Sequence, residues 1–209
     1  MKISFAEPDQ PRSGAVVVGV WEEGVLTPAA RRLDEATSGA ISRALSAAPR
    51  FSGKKDELLP IVGPANLSVS RIVLAGLGKP DLTDPRSLQQ LGGNLVAHLN
   101  GTGEKEATFV IEVGEGAQVG QAEAAAELAF GAQLRSYRFD KYKTKQKPEQ
   151  KPSLHHLTVA TTAANAAQRA YNQARYDYLT NVLTLKQQAG RLTEQDLVAI
   201  DNLLIESAA

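Results

Sequence analysis

Over the first 160 residues, short apolar or alternating runs trade places with longer stretches whose apolar residues recur every three or four positions. KISF at the start and AVVVGV at 15–20 are β-branched or alternating and are divided by a Pro-containing turn, which predicts two strands. TPAARRLDEATSGAISRALSAA then predicts one helix. Thr27 is its N-cap, Pro28 takes the first helical position, and Leu33, Ala36, Ala40, Ile41 and Leu45 make its apolar stripe. Gly39 weakens this helix without having to break it. ELLPIV (57–62) and RIVLAGLG (71–78) predict two further strands about a GPANLS turn, and Pro60 places the first of them at a sheet edge.

DPRSLQQLGGNLVAHLN predicts a helix with Leu88, Leu91, Leu95 and Leu99 on one face, stopped at Asn100-Gly101. ATFVIEV (107–113) is nearly continuous apolar, as a central buried strand should be. QAEAAAELAFGAQLRSY predicts the next helix and LHHLTVAT (154–161) the last strand. Strands alternating with helices imply an α/β fold, a three-layer sandwich with a mixed or mostly parallel sheet.

From about residue 163 no further strand is predicted. A long helix is expected over 164–189, with Tyr171, Arg175, Tyr178, Leu179, Val182 and Leu185 at three- and four-residue spacing and Gly190 as its terminator. A short helix is expected over 194–206, opened by Thr193 and Asp196 in a capping-box arrangement one carbon shorter than the usual Glu. The predicted organisation is an α/β domain over 1–162 and a helical appendage over 163–209. Tyr171, Tyr178, Leu179 and Val182 form a stripe that has to fold onto the domain or pair with another copy of the chain.

Composition narrows the chemistry. Of 209 residues 43% are hydrophobic and 22% charged, a globular balance, and 23 basic residues match 23 acidic ones, so only a local patch can attract nucleic acid or a membrane. There is no cysteine, which removes disulfides, thiolate catalysis and Cys-ligated zinc. No run is long enough for a signal peptide or a membrane span, so membrane insertion is not expected and a cytoplasmic location is.

His155 and His156 are adjacent in a predicted strand and face opposite sides, and His98 lies in a helix, so no metal site is expected from them. The acidic pairs Glu22-Glu23 and Asp34-Glu35 predict solvated surface rather than paired acid–base catalysts. No serine stands in G-x-S-x-G. AGLGKPDL places two glycines after a strand, as phosphate loops do, but matches neither phosphate-binding pattern and has Pro80 where a helix should open; a simple turn is the better expectation.

One segment stands apart. GAQLRSYRFDKYKTKQKPEQKP laces Tyr137, Phe139 and Tyr142 through Lys and Arg, the residue types that stack on bases and contact phosphates. Arg135, Arg138, Lys141, Lys143 and Lys145 are the candidate nucleic-acid contacts within the basic segment 135–151. Helices also end in cations for dipole reasons. The favoured expectation is a helix-to-linker passage whose aromatics pack on the domain while its basic fringe faces solvent.

AAAELAFGAQLRSYRFDKYKTK running on to KPSLHHLTV, together with RIVLAGLGK and VVVGVWEEGVLTPAARRLDEATSGAISRAL, resembles the N-terminal domain of leucyl (cytosol) aminopeptidases across residues 1–162. The resemblance implies a macro-domain-like α/β/α fold that is not itself catalytic and takes part in organising the family's hexamer. The family's two-metal chemistry resides in a second domain bearing N-T-D-A-E-G-R, a signature this sequence lacks. No catalytic residue, metal ligand or cofactor is therefore carried over, and the chain is expected not to be an enzyme. QRAYNQARYDYLTNVLTLKQQAGRLTEQDLVAIDNLL, residues 168–204, is similar to the C-terminal helical end of TolC-type outer-membrane efflux proteins, without the strands a barrel needs.

Taken together, the sequence predicts a domain for assembly or regulation of the peptidase family, with itself or other protein subunits as partners. Two alternatives stand beside it. One is a nucleic-acid module, which the resemblance favours because some bacterial leucyl aminopeptidases bind DNA; the other is a macro-like nucleotide binder.

Overall fold

The computed structural model describes residues 1–9, 13–110, 112–114, 116–137, 152–193 and 196–198. The chain divides into two compact units, Met1–Tyr171 and Asn172–Ala209.

The first unit is a mixed α/β fold. Its strands are β1 (Lys2–Ala6), β2 (Ala15–Trp21), β3 (Val25–Leu26), β4 (Leu58–Val62), β5 (Arg71–Gly78), β6 (Glu106–Val110) and β7 (His156–Ala160). They form one sheet in the order β1-β7-β6-β2-β5-β4, with the two-residue β3 beside β2. The core pairings β1–β7, β7–β6, β6–β2 and β2–β5 are parallel, whereas β4–β5 and β2–β3 are antiparallel. β4 is an edge strand, the position its proline demands.

The helices are α1 (Pro28–Ala36), α2 (Ala40–Ala47), α3 (Pro85–Gly101), α4 (Gln121–Ser136) and α5 (Ala164–Gln188). The path from β2 to β5 runs toward one edge, and the path from β5 back past β2 to β6 runs toward the other. Right-handed crossovers therefore place α1 and α2 on one face and α3 on the opposite face, and α4, which continues in the direction of α3, packs beside it. Alternation along the strands serves both layers. Val16, Val18, Val20, Ile72, Leu74 and Val110 bury against Ala29, Leu33 and Ile41 of α1 and α2. The intervening positions Phe5, Val159, Phe109, Val17 and Val73 share one register row on the other face.

The single helix expected after Thr27 is two helices. Ser38 and Gly39 both take positive φ, at 54° and 82°, and end α1. Gly39 gives α2 no side-chain cap. Asp34, read from sequence as solvated surface, supplies it instead. Its Oδ1 accepts from the amides of Ile41 (2.8 Å) and Ser42 (3.0 Å), and its Oδ2 from the Ser42 hydroxyl at 2.5 Å. Partial burial pushes the Asp34 carboxyl up, but the hydroxyl and the two amides outweigh it and leave its pKa below the usual value. Replacing Asp34 with alanine is expected to lower stability by about 1–2 kcal/mol near neutrality. Because the folded-state pKa is the lower one, that contribution is present above the unfolded value and fades as the pH falls through the folded one. Urea titrations of both proteins at pH 7 and near pH 2.5 check the magnitude and its decline.

α3 opens with Asp84 and Ser87 in a reciprocal capping box and Pro85 at its first position. On its far turn His98 presents a buried Nε2 with no hydrogen-bond partner. Burial and the Arg71 charge lower its pKa, so the imidazole is held neutral. The unfolded chain binds that proton more readily, so stability is complete above the unfolded pKa of about 6.5 and is lost as pH falls below it. Melting temperatures from pH 7.5 to 5 should therefore drop less steeply for His98→Leu than for the native chain.

The first unit takes in the opening turns of α5, where Ala164, Ala167 and Tyr171 are buried. The Tyr171 ring lies against Phe5 of β1, with centroids 5.6 Å apart. In the second unit α5 ends at a left-handed Gly190 (φ 63°), with the Arg191 amide bonded back to the Lys186 carbonyl at 2.8 Å. Thr193 and Asp196 exchange amide-to-side-chain bonds of 3.1 and 3.3 Å, and Lys186 reaches Asp196 at 2.5 Å.

Candidate functional site

In an open parallel sheet the crevice lies outside the carboxyl ends of the strands, where neighbouring strands send their connections in opposite directions. Here that point falls between β2 and β6. Beside it a cleft of about 250 Å3 is floored by Val16, Val18 and Val110 and walled by Ala29, Arg32 and Leu33 of α1.

A phosphate ligand at this place would need the free amides of the α1 N-terminus. They are engaged from within the chain. Pro28 has none. The Ala29 amide donates to Oε2 of Glu112, the Ala30 amide to the Thr27 hydroxyl at 3.3 Å, and the Arg31 amide to the Thr27 carbonyl at 3.0 Å. Thr27 is fixed in turn, because its hydroxyl donates to the Gly19 carbonyl at 2.9 Å. The other oxygen of Glu112, Oε1, accepts from Arg32 Nη2 at 2.7 Å.

The glycines of AGLGKPDL serve the chain in a similar way. The Gly76 amide donates to the Glu57 carbonyl (2.8 Å) and the Gly78 amide to the Gly53 carbonyl (2.9 Å). A Cβ at Gly76 would stand 2.0 Å from the Lys54 carbonyl oxygen, so this glycine admits a neighbouring loop rather than a phosphate. After it Pro80 opens a single 3-10 turn, Pro80–Leu82.

Among the described residues, no group of three His, Asp or Glu converges as a metal cluster. His156 Nε2 lies 2.9 Å from the Ser4 hydroxyl, itself 3.3 Å from that of Thr158; they share the sheet face of Val16 and Val110 but stand on β1 and β7, beyond β6 from β2. Of the basic candidates, Arg135 is exposed in the last turn of α4, whereas Arg138, Lys141, Lys143 and Lys145 lie outside the described residues. The expectation that the aromatics of this segment pack on the domain does not hold for Tyr137. It ends α4 with 74% of its surface exposed, because the chain turns extended there and carries the ring beyond the helix–helix contact. Phe139 and Tyr142 lie outside the described residues. Of the stripe on α5, Tyr171 is buried in the first unit, Tyr178 is 46% exposed, and Leu179 and Val182 are half-buried.

Residues 17–146 match the family model described as the cytosol aminopeptidase family, N-terminal domain. The chain belongs to the cytosol aminopeptidase family. Within that family, it is 36% identical over 173 residues to a probable cytosol aminopeptidase of Caulobacter vibrioides, which covers 82% of this chain and 34% of the relative. A probable cytosol aminopeptidase of Dinoroseobacter shibae is 32% identical over 222 aligned residues, covering 99% of this chain and 42% of the relative. The chain thus spans about a third of the length of most of these cytosol aminopeptidases. The Dinoroseobacter match runs through the tail, and none of these matches carries the likeness of residues 168–204 to efflux proteins.

The fold is shared with solved structures. A tomato leucine aminopeptidase variant superposes with a TM-score of 0.69 at 20% identity, over 84% of this chain and 35% of the other. The bottromycin maturation enzyme BotP superposes with a TM-score of 0.59 at 19% identity, over 93% of this chain and 37% of the other. Glu112 is the residue of the crevice that sequence reading passed over. It sat inside an apolar run that reads as strand, and only the pairing of β6 with β2 brings it to α1.

Proposed function

We propose that this chain acts as a non-catalytic domain that serves assembly or regulation of a cytosol-aminopeptidase-type protein in the cytoplasm. The observation that supports this reading is the family match to the N-terminal domain, on a fold in which the α1 N-terminal amides beside the crevice are engaged from within the chain. No helix among the described residues is long and apolar enough to cross a membrane. Self-association through Tyr178, Leu179 and Val182 on the outer part of α5 is the form of assembly proposed. Light scattering of the intact chain over a hundredfold concentration range should then give a mass above the 22.3 kDa of one copy. Leu179→Glu with Val182→Glu should return it to one copy. A native chain that stays monomeric throughout refutes the reading.

A second reading, nucleic-acid contact through the basic segment, is favoured by one observation: an aromatic ring at Tyr137 stands open beside the exposed Arg135. It predicts binding to single-stranded DNA that weakens steeply with salt. Replacing Arg135, Arg138 and Lys141 with alanine should flatten that dependence by about three charges' worth. Salt-independent or undetectable binding in 50 mM salt removes this reading.

A further inference from the structure

We propose that Glu112 is the resident anion of the crevice: its carboxylate holds the N-terminus of α1 and Arg32, and thereby closes the position to phosphate-bearing ligands. This inference stands apart from the assembly reading and does not rest on it.

The argument starts from hydrogen-bond accounting. A helix start presents up to four unpaired amides and a positive dipole end, which favour an anion. In α1, proline removes one amide, Thr27 satisfies two through its hydroxyl and carbonyl, and Ala29 alone remains. Glu112 takes that amide with one oxygen and the Arg32 guanidinium with the other, the two contacts a bound phosphate would make. Its side chain is only 18% exposed, so water has little access to the carboxylate, although Arg32 is 59% exposed and its half of the contact stays open to solvent.

The place of Glu112 in the chain strengthens the case. It lies two residues beyond β6, which pairs directly with β2, and β2 leads into α1. The carboxylate is thus tethered to the site it fills. A group held on a short tether acts at an effective concentration of about millimolar or more, so a free phosphate ligand must exceed that to displace it. Among the described residues, the floor of the cleft beneath is valine and Arg32 is the cation that lines it. Gly76 and Gly78, at the end of β5, have their amides bonded elsewhere.

Thermal melts of the intact chain in inorganic pyrophosphate, against sodium chloride of equal ionic strength, test the proposal. The native chain should show no shift beyond the salt control. Glu112→Ala should melt about 3–6 °C lower without ligand and gain a pyrophosphate-dependent rise of about 2–4 °C. Adding Arg32→Ala should abolish the gain. A rise in the native chain equal to that of Glu112→Ala overturns the proposal, and so does a folded Glu112→Ala that gains nothing. If Glu112→Ala does not fold, the Ala29 amide resonance of the native chain decides. The proposal requires that it stay fixed through a pyrophosphate titration to 10 mM, and movement of that resonance overturns it.

Discussion

Replacing Glu104 with alanine should destabilise the domain by about 3 kcal/mol, a fall in Tm of about 6–12 °C for a chain of this size. Glu104 follows α3, and its Oε1 accepts from Arg71 Nε at 2.5 Å and from the Ser70 hydroxyl at 2.9 Å. The two charged side chains are only 17% and 10% exposed, Arg71 and Glu104 respectively. Removing the carboxylate leaves a guanidinium in a place where water can barely reach it. The Ser70 hydroxyl keeps its 3.0 Å donor bond to the Gly14 carbonyl and, being neutral, offers the arginine no compensating charge. Glu104→Gln, which keeps an acceptor but not the charge, should lose less. The paired change Arg71→Met with Glu104→Leu should recover most of the loss, since apolar replacement of a buried ion pair is often neutral. Urea unfolding of the four proteins measures this, and a Glu104→Ala loss under about 1 kcal/mol contradicts it.

Gly131→Ala should lower stability by about 2 kcal/mol although alanine is the better helix former. A Cβ at Gly131 in α4 would lie 1.9 Å from the Gln89 carbonyl oxygen of α3, and one at Gly92 in α3 would lie 2.1 Å from the Leu128 carbonyl oxygen of α4. The two helices touch through backbone at both points, so a methyl group must push whole helices apart. Overpacking of that kind typically costs about 1–3 kcal/mol, against which the propensity gain is about 1. Because the obstacle is backbone, the loss belongs at the upper end. Gly101→Ala is the internal control. It closes the same α3, and a Cβ there meets nothing within 4 Å. This substitution should therefore stabilise, by about 0.4–1 kcal/mol. Opposite signs for one chemical change on one helix pair are the expected result of the two denaturation curves. If Gly131→Ala is neutral, the α3–α4 contact is looser than the structure describes.

The sequence by itself determined most of the elements and their order, though not the two-residue β3 or the break between α1 and α2, because periodicity records which side of each element is buried. AVVVGV and RIVLAGLG are β-branched and continuous, and they are β2 and β5, covered on both faces. The leucines of α3 recur at helical spacing because one stripe of it meets the sheet and α4. Thr27-Pro28, Asp84-Pro85 and Gly190 mark helix ends through bonds that span at most five residues, so local sequence carries them; the short helix expected over 194–206 lies, apart from 196–198, outside the described residues. The resemblance to the aminopeptidase N-terminal domain was legible for the same reason, since its motifs are local strings.

The tertiary structure decided whatever depends on groups distant in sequence. Asp34 looked like surface because its partners, Ile41 and Ser42, come near it only when Gly39 turns the chain back on α1. Tyr171 looked like part of an appendage stripe, yet its ring completes the core against Phe5, 166 positions earlier in the chain. Gly131 and Gly92 read as weak points in two helices, and only the crossing of α3 and α4 makes them necessary. Glu112 and α1 are 80 residues apart at Arg32, and the crevice they close exists because the sheet pairs β6 with β2. Periodicity reports how each element meets solvent and core, but not which other element lies opposite. That choice is made by strand order and crossover handedness, and it is there that the site acquired its chemistry.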